Sequence, residues 1–293
     1  MKKEFLHKDE ILKLNGSNFL FKDSIKEISS YLSKASTVRR GPYFLSEETT
    51  EKYEKVRYEI ADLLGASSRE IIFASPNDVN KLLNSIRKVY LIEELKNFKN
   101  IEELKLFTMA KHVDEKLVMV NANSFISRLK INIKILDIDV LYINSDFLYS
   151  PNDLLIFYVK REILENIEPY EQGGDMIKKV TLHKSNFAEP PYKFEAGTPN
   201  IASILSLGPS VKFIKNHLHE LDELFVSFYL NLSNIVNISI NDLNKTIEFM
   251  DKNQEIREIF KKEKIDIGDK LQLSIYNDRE DIDRVINILK RGF

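Results

Sequence analysis

The sequence predicts an α/β fold: a largely parallel or mixed sheet with flanking helices, closed by a small α+β domain. Three observations carry this. The runs "EIIFAS", "KLVMVNA", "DVLYINS" and "LLIFYVK" are of strand length, rich in β-formers, and alternate with helical segments, the pattern of an α/β layer. After Pro199 the chain changes to one long helical stretch. The end, "LQLSIYNDREDIDRVINILKRGF", reads as a strand and then an amphipathic helix. At 293 residues the chain is too long for one simple core. Residues 20–207 read as the large domain, and residues 1–19 with 208–293 as the small one.

Each element has its own signal. Ser46 reads as the N-cap of "EETTEKYEKVRYEIADLLG", where Tyr53, Val56, Ile60 and Leu63 fall at helical spacing and Gly65 is the stop. "SSREIIFAS" turns into a short buried strand. The three later apolar runs are further strands. Gly173-Gly174 reads as a turn; no phosphate fingerprint surrounds it. "FEAGTPN", Phe194 to Asn200, reads as a loop that approaches a ligand: Gly197 frees the backbone, Thr198 offers a hydroxyl, and Pro199 sets the turn into a helix. Within that helix Gly208-Pro209 is expected to interrupt. At the end a capping box from Asn277 to Glu280 opens a helix with Ile282, Val285, Ile286 and Leu289 as its apolar stripe.

Composition limits the function. Apolar residues make 43%, charged residues 30%, and the net charge is -2. No broad basic surface for nucleic acid is implied. No apolar run approaches the ~20 residues that span a bilayer, and "MKKEFLHKDE" lacks a secretory apolar core. Cysteine is absent, which excludes disulfides, thiolate metal sites and cysteine nucleophiles. A cytoplasmic address without membrane or nucleic-acid partners is expected. His217 and His219 are two apart on a helix and face different ways, so no metal site is expected. Charge runs such as "KNFKNIEELK" read as solvated helix faces, and no Ser-His-Asp set can be assembled from sequence order.

"AEPPYKFEAGTPNIASILSLG", "RRGPYFLSEETTEKYEKVRYEIADLLGASSREIIFAS", "DIDVLYINSDFLYSPNDLLIFYVKREILENIEPYEQGGDMI" and "LQLSIYNDREDIDRVINIL" together resemble the pyridoxal-phosphate-dependent cysteine desulfurases of the SUF type, within the class V aminotransferase family. The segments stand in the family's order and cover a large part of the chain. The resemblance implies the pyridoxal-phosphate fold type I in shortened form, with a homodimer whose two active sites lie at the interface. It also implies that Thr198 reaches the cofactor phosphate of the other subunit.

The same resemblance locates departures. The family's cofactor lysine follows a His in a Ser-Gly-His-Lys-Leu-Tyr-Gly-Pro run. Here "NSDFLYSP" puts Asp146 at the His place and Phe147 at the Lys place, and Phe cannot form an imine. The family's Asp that holds the pyridine nitrogen lies on a strand expected between "KLVMVNA" and "DVLYINS". The residues from Asn123 to Ile138 are too few for a helix, a strand and a further loop, and Asp137 and Asp139 are poor substitutes. The phosphate loop becomes "FASPNDVN": Ser75 and Asn77 keep donors, while Asp78 repels an anion. The family's stacking His has no match, its Asn aligns with Phe125, and the loop bearing its catalytic Cys is missing. Its substrate-binding Arg falls at Lys270, which keeps charge without the bidentate fork.

Thr198 therefore has two readings, a cofactor contact or only an N-cap for the helix after Pro199. Lys270 likewise reads as a substrate contact or a solvated charge. No catalytic residue and no bound cofactor are expected. The sequence favours an inactive desulfurase-like protein that acts by binding in sulfur transfer or iron–sulfur cluster assembly. Its expected partners are a second copy, an intact desulfurase or a sulfur acceptor. The alternative is a shortened transferase or lyase with non-covalent pyridoxal phosphate or altered chemistry. A decaying reading frame fits less well, because caps and amphipathic patterning persist to the last helix.

Overall fold

The computed structural model describes residues 4–6, 11–16, 18–34, 36–39, 41, 43–93, 95–98, 100–151, 153–180, 185–250, 253–268 and 270–292; most of the opening stretch "MKKEFLHKDE" lies outside them. The chain runs through β1 (Leu12–Lys13), α1 (Lys22–Lys34), α2 (Phe44–Leu64), β2 (Ile71–Ala74), α3 (Val79–Ser85), β3 (Val89–Ile92), α4 (Ile101–Val113) and β4 (Leu117–Asn121). It continues through β5 (Val140–Asn144), β6 (Leu155–Val159), α5 (Arg161–Asn166), β7 (Ile177–Val180), β8 (Ser185–Phe187) and α6 (Ile201–Ser233). The last elements are β9 (Ile238–Asn241), β10 (Thr246–Phe249), α7 (Asn253–Lys262), β11 (Ile265–Asp266), β12 (Leu271–Gln272) and α8 (Arg279–Gly292).

The four apolar runs read as strands become β2, β4, β5 and β6 of one five-stranded sheet in the order β2-β6-β5-β4-β3; its edge strand β3, Val89–Ile92, is not among the runs read from the sequence. β3, β4 and β5 pair in parallel, while β6 runs antiparallel to both β5 and β2. β6 is buried at every residue because helices cover both faces of the sheet. On one face Val120, Leu141 and Ile156 pack with Ile60 and Leu64 of α2 and with Ile204 and Val211 of α6. On the other, Met119, Val140 and Phe157 pack with Leu82 of α3 and Leu164 of α5.

A separate core joins the distal part of α6, from Leu221 to Leu232, to β10, α7 and α8. The stripe Ile282, Val285, Ile286 and Leu289 is buried there. β9, β10 and β12 form an antiparallel sheet, and β1 pairs with β11, so both chain ends enter this unit. The 207/208 division read from sequence falls inside α6.

Three local expectations are corrected. Gly208-Pro209 does not interrupt α6, which continues from Ile201 to Ser233. Proline removes one helical donor, but Leu205, Leu207, Val211 and Ile214 are all buried, and their burial outweighs one lost bond. Gly208 serves close packing instead: a Cβ there would lie 3.1 Å from Val56 Cγ2 of α2. Ser46 is not an N-cap. Helix α2 starts at Phe44 after Tyr43, and Ser46 is buried in its first turn, where upstream residues pack on it: Ser36 Oγ donates to the Leu45 carbonyl at 2.8 Å. Gly65 does end the helix, at φ 69°. The final capping box sits one residue later than read. Asp278 and Asp281 exchange bonds, with Asp281 N–H to Asp278 Oδ1 at 3.1 Å and Asp278 N–H to Asp281 Oδ2 at 3.3 Å. Asn277 instead turns inward, accepting from Ser274 N–H and donating to the Lys13 carbonyl.

Candidate functional site

The carboxyl ends of β2 and β5 and the start of β6 lie at one end of the sheet, the usual place for ligands in α/β folds. A cavity of about 310 Å³ opens there between the turn after β2 and the "FEAGTPN" loop. Four carboxylates line it, those of Asp78, Asp153, Glu171 and Glu195, with no Lys, Arg or His among the lining residues described.

Each carboxylate is held by a partner, and Asp78 and Glu171 share one. Asp78 is buried where α3 begins. Its Oδ2 accepts the Ser75 N–H at 2.9 Å and its Oδ1 meets Lys81 Nζ at 2.8 Å, and Lys81 also reaches Glu171. Asp78 closes the 3-10 turn before α3 and so places a negative charge where that helix begins, at the end that ordinarily attracts an anion. Asp153 accepts from Ser203 Oγ at 2.5 Å and from Asn200 Nδ2 at 3.1 Å.

Glu195 is the most elaborately bound. The Arg57 fork grips it through Nη1–Oε1 at 2.7 Å and Nη2–Oε2 at 3.0 Å. Tyr53 Oη at 3.1 Å and the Phe73 N–H at 3.0 Å also donate to it. Arg57 is 1% exposed. Burial works against its charge, but Glu195, with Tyr53 and Glu54, outweighs burial and holds Arg57 protonated more firmly than usual. The pair thus ties the loop to α2 and to the free edge of β2, where Arg57 also donates to the Ile71 carbonyl. Sequence reading missed both residues. The signal was an arginine inside the apolar stripe of α2, next to Val56 and four residues from Tyr53.

The sequence candidates distribute unevenly. Thr198 is exposed and lines the cavity. It is not the N-cap of α6; Asn200 is, accepting from the Ser203 N–H at 3.4 Å. The turn belongs to Gly197, at φ 78°, whose N–H donates to the Gly174 carbonyl at 3.0 Å. Phe147 lies in the 3-10 turn Ser145–Leu148 after β5, half-buried against the main core. Asp146 beside it has Oδ1 buried with no hydrogen-bond partner among the described residues, and burial pushes its carboxyl above the usual range. Lys270 is not in the cavity lining and pairs with Glu248 on β10 at 2.8 Å. Phe125 is core.

Between β4 and β5 the described chain holds turns and no strand, and the two strands pair directly. This connection is anchored by Arg128, 1% exposed, which donates to the carbonyls of Leu273, Ser124 and Gly16 and to Ser274 Oγ. Asp137 and Asp139 stand at the other end of the sheet, bound to His112 at 2.9 and 2.7 Å and to Lys160 at 2.6 Å each. Burial works against the charge of Asp137, but Lys160 and His112 prevail and hold its carboxyl below the usual range.

The profile of the aminotransferase class-V family matches residues 12–77 and 75–246. A cysteine desulfurase of Wigglesworthia glossinidia brevipalpis is 28% identical over 294 residues, covering 76% of this chain and 72% of its own length. One from Yersinia pseudotuberculosis is 26% identical over 253 residues, and the alignment spans 64% of this chain but only 62% of that relative. The apo cysteine desulfurase of Thermococcus onnurineus NA1 superimposes with a TM-score of 0.78 at 18% identity, over 99% of this chain and 96% of that one. That likeness shows the shared fold, an α/β sheet with flanking helices of fold type I.

Proposed function

The chain belongs to the aminotransferase class-V family, and from that premise we propose that it is a cysteine desulfurase-like protein that acts by binding. The family depends on pyridoxal phosphate, and the residues present here do not fit that group. The observation that carries the reading is the half-buried phenyl ring of Phe147 in the turn after β5, at the place the resemblance gives to the cofactor lysine. A phenyl ring offers no amine.

The rest of the cleft supports the same reading. A phosphate would meet a turn already closed by Asp78 and a described lining of four carboxylates without a Lys, Arg or His, which offers a dianion no counter-charge of its own. No strand between β4 and β5 is available among the described residues to supply an acid for the pyridine nitrogen. Persulfide chemistry needs a protein thiolate, and the chain has no cysteine. Binding is then the remaining use of the fold. In this reading the protein pairs with itself or with an intact desulfurase, in the cytoplasm, and serves sulfur transfer or iron–sulfur cluster assembly. No helix of the described residues is long and apolar enough to cross a membrane.

A second reading, a shortened transferase holding pyridoxal phosphate non-covalently, draws on one observation: a cavity of about 310 Å³ with Thr198 in its lining persists. The test is cysteine turnover with added pyridoxal phosphate. The binding reading expects sulfide and alanine at the level of a heat-treated control, and an altered rate when an intact desulfurase is mixed with the protein. Turnover by the purified chain alone would sink it in favour of the second reading.

A further inference from the structure

The two edges of the five-stranded sheet are treated differently. At β2 the outward Ile71 carbonyl and Phe73 N–H are taken by Arg57 and Glu195. At β3 the Lys88 carbonyl bonds inward to Leu117 N–H of β4. Alternate residues of a strand face the same neighbour, so Tyr90 and Ile92 also bond inward. The N–H and C=O groups of Val89 and Leu91 point outward, and no partner meets them among the described residues. Edge strands are normally blunted by proline, charge or a bulge; "VYLI" contains no proline or charge.

We infer that β3 is a self-recognition edge: it pairs antiparallel with β3 of a second copy of this chain, about a two-fold axis through Tyr90. The charges select this occupant. Exposed Arg87 precedes the strand and exposed Glu93 follows it. With Tyr90 opposite Tyr90, Val89 faces Leu91 and Arg87 faces Glu93, each twice by symmetry. A parallel pairing would set Arg87 against its own copy. This antiparallel register also matches outward groups to outward groups. In the single chain the Glu93 carboxylate is turned inward, accepting through Oε2 from Tyr142 Oη of β5 at 3.0 Å and Asn121 Nδ2 of β4 at 3.2 Å; pairing with Arg87 of the second copy requires it to turn outward. On the α4 face, a groove of about 530 Å³ borders Tyr90, Ile92, Phe98 and Phe107. Cross-strand neighbours share a face, so the partner's Tyr90 side chain would enter along this groove.

This surface lies at the opposite edge from "FEAGTPN" and does not rest on the proposed function. The test uses the absence of native cysteine. Opposed residues of a non-hydrogen-bonded antiparallel pair have Cα atoms ~4.5 Å apart, a span a disulfide accepts. Tyr90→Cys is therefore expected to give a disulfide-linked dimer under mild oxidation, while Ser30→Cys, exposed on α1, does not. By light scattering, Arg87→Glu should weaken association at least about tenfold, and Arg87→Glu with Glu93→Arg should restore it. Leu91→Pro, which removes an outward N–H and no bond to β4, should also abolish it. A monomer at high micromolar concentration overturns the inference. So does a dimer indifferent to Arg87→Glu and Leu91→Pro, cross-linking of Tyr90→Cys no better than of Ser30→Cys, or an edge that takes only foreign extended peptides.

Discussion

Replacing Phe147 with lysine supplies an amine without a site for it. The new side chain would stand next to Asp146, whose carboxylate favours a charged, non-nucleophilic ammonium, and the phosphate end would still face Asp78. Members of one site fail as a unit, so Phe147→Lys with added cofactor is expected to show no pH-dependent visible band; such a band, with transamination, would mean that the cleft is intact. Asp146 itself makes a second prediction. Its folded carboxyl titrates above the ordinary range because of burial. The charged form therefore lowers stability above the folded value, and that cost fades as pH falls through it towards the unfolded value. Asp146→Asn should raise the melting temperature at neutral pH and match the parent below roughly pH 3; an equal gain at both pH values would contradict this cause. The sequence singles out Phe147 because Leu148, Tyr149 and Pro151 keep the family's register around it. Glu195 was not, since its role depends on Arg57, far away in sequence.

At the scale of elements, one buried pair fastens the "FEAGTPN" loop to α2 and β2. Arg57 also meets Glu54 at 2.9 Å and Glu195 also meets Arg39 at 3.3 Å, so removing one partner leaves the other only partly compensated. Arg57→Met or Glu195→Leu should cost at most about 3–5 kcal/mol in denaturant unfolding, and the double variant markedly less than the sum. Additive losses would deny the coupling. The α2–α6 contact depends on Gly208, whose absent side chain admits Val56; Gly208→Leu is expected to overpack it by about 1–3 kcal/mol, checked by the same unfolding curves. These elements explain what the sequence revealed. β4, β5 and β6 were readable as continuous apolar runs, since both their faces are buried. The continuity of α6 was not, because Gly208-Pro209 is a local breaker signal overruled by packing on both sides of it. Ser46 and Asn277 misled in the same way: both are good caps in isolation, and each is drawn inward by distant residues.

For the whole molecule, the central claim is that a class V fold persists while its cofactor chemistry has been dismantled. The shortening was legible as the short interval from Asn123 to Ile138. Its repair was not: β4 closes directly on β5, and Arg128 bonds carbonyls from both chain ends across the join. The acidic character of the cavity also escaped the sequence, because Asp78, Asp153, Glu171 and Glu195 converge only through the fold. The most direct measurement is borohydride trapping. The purified protein is incubated with pyridoxal phosphate, reduced, digested and mapped by mass spectrometry. The account predicts no pyridoxyl adduct concentrated on any one lysine. Stoichiometric, single-site labelling of one lysine, protected by a competing amino acid, would contradict it.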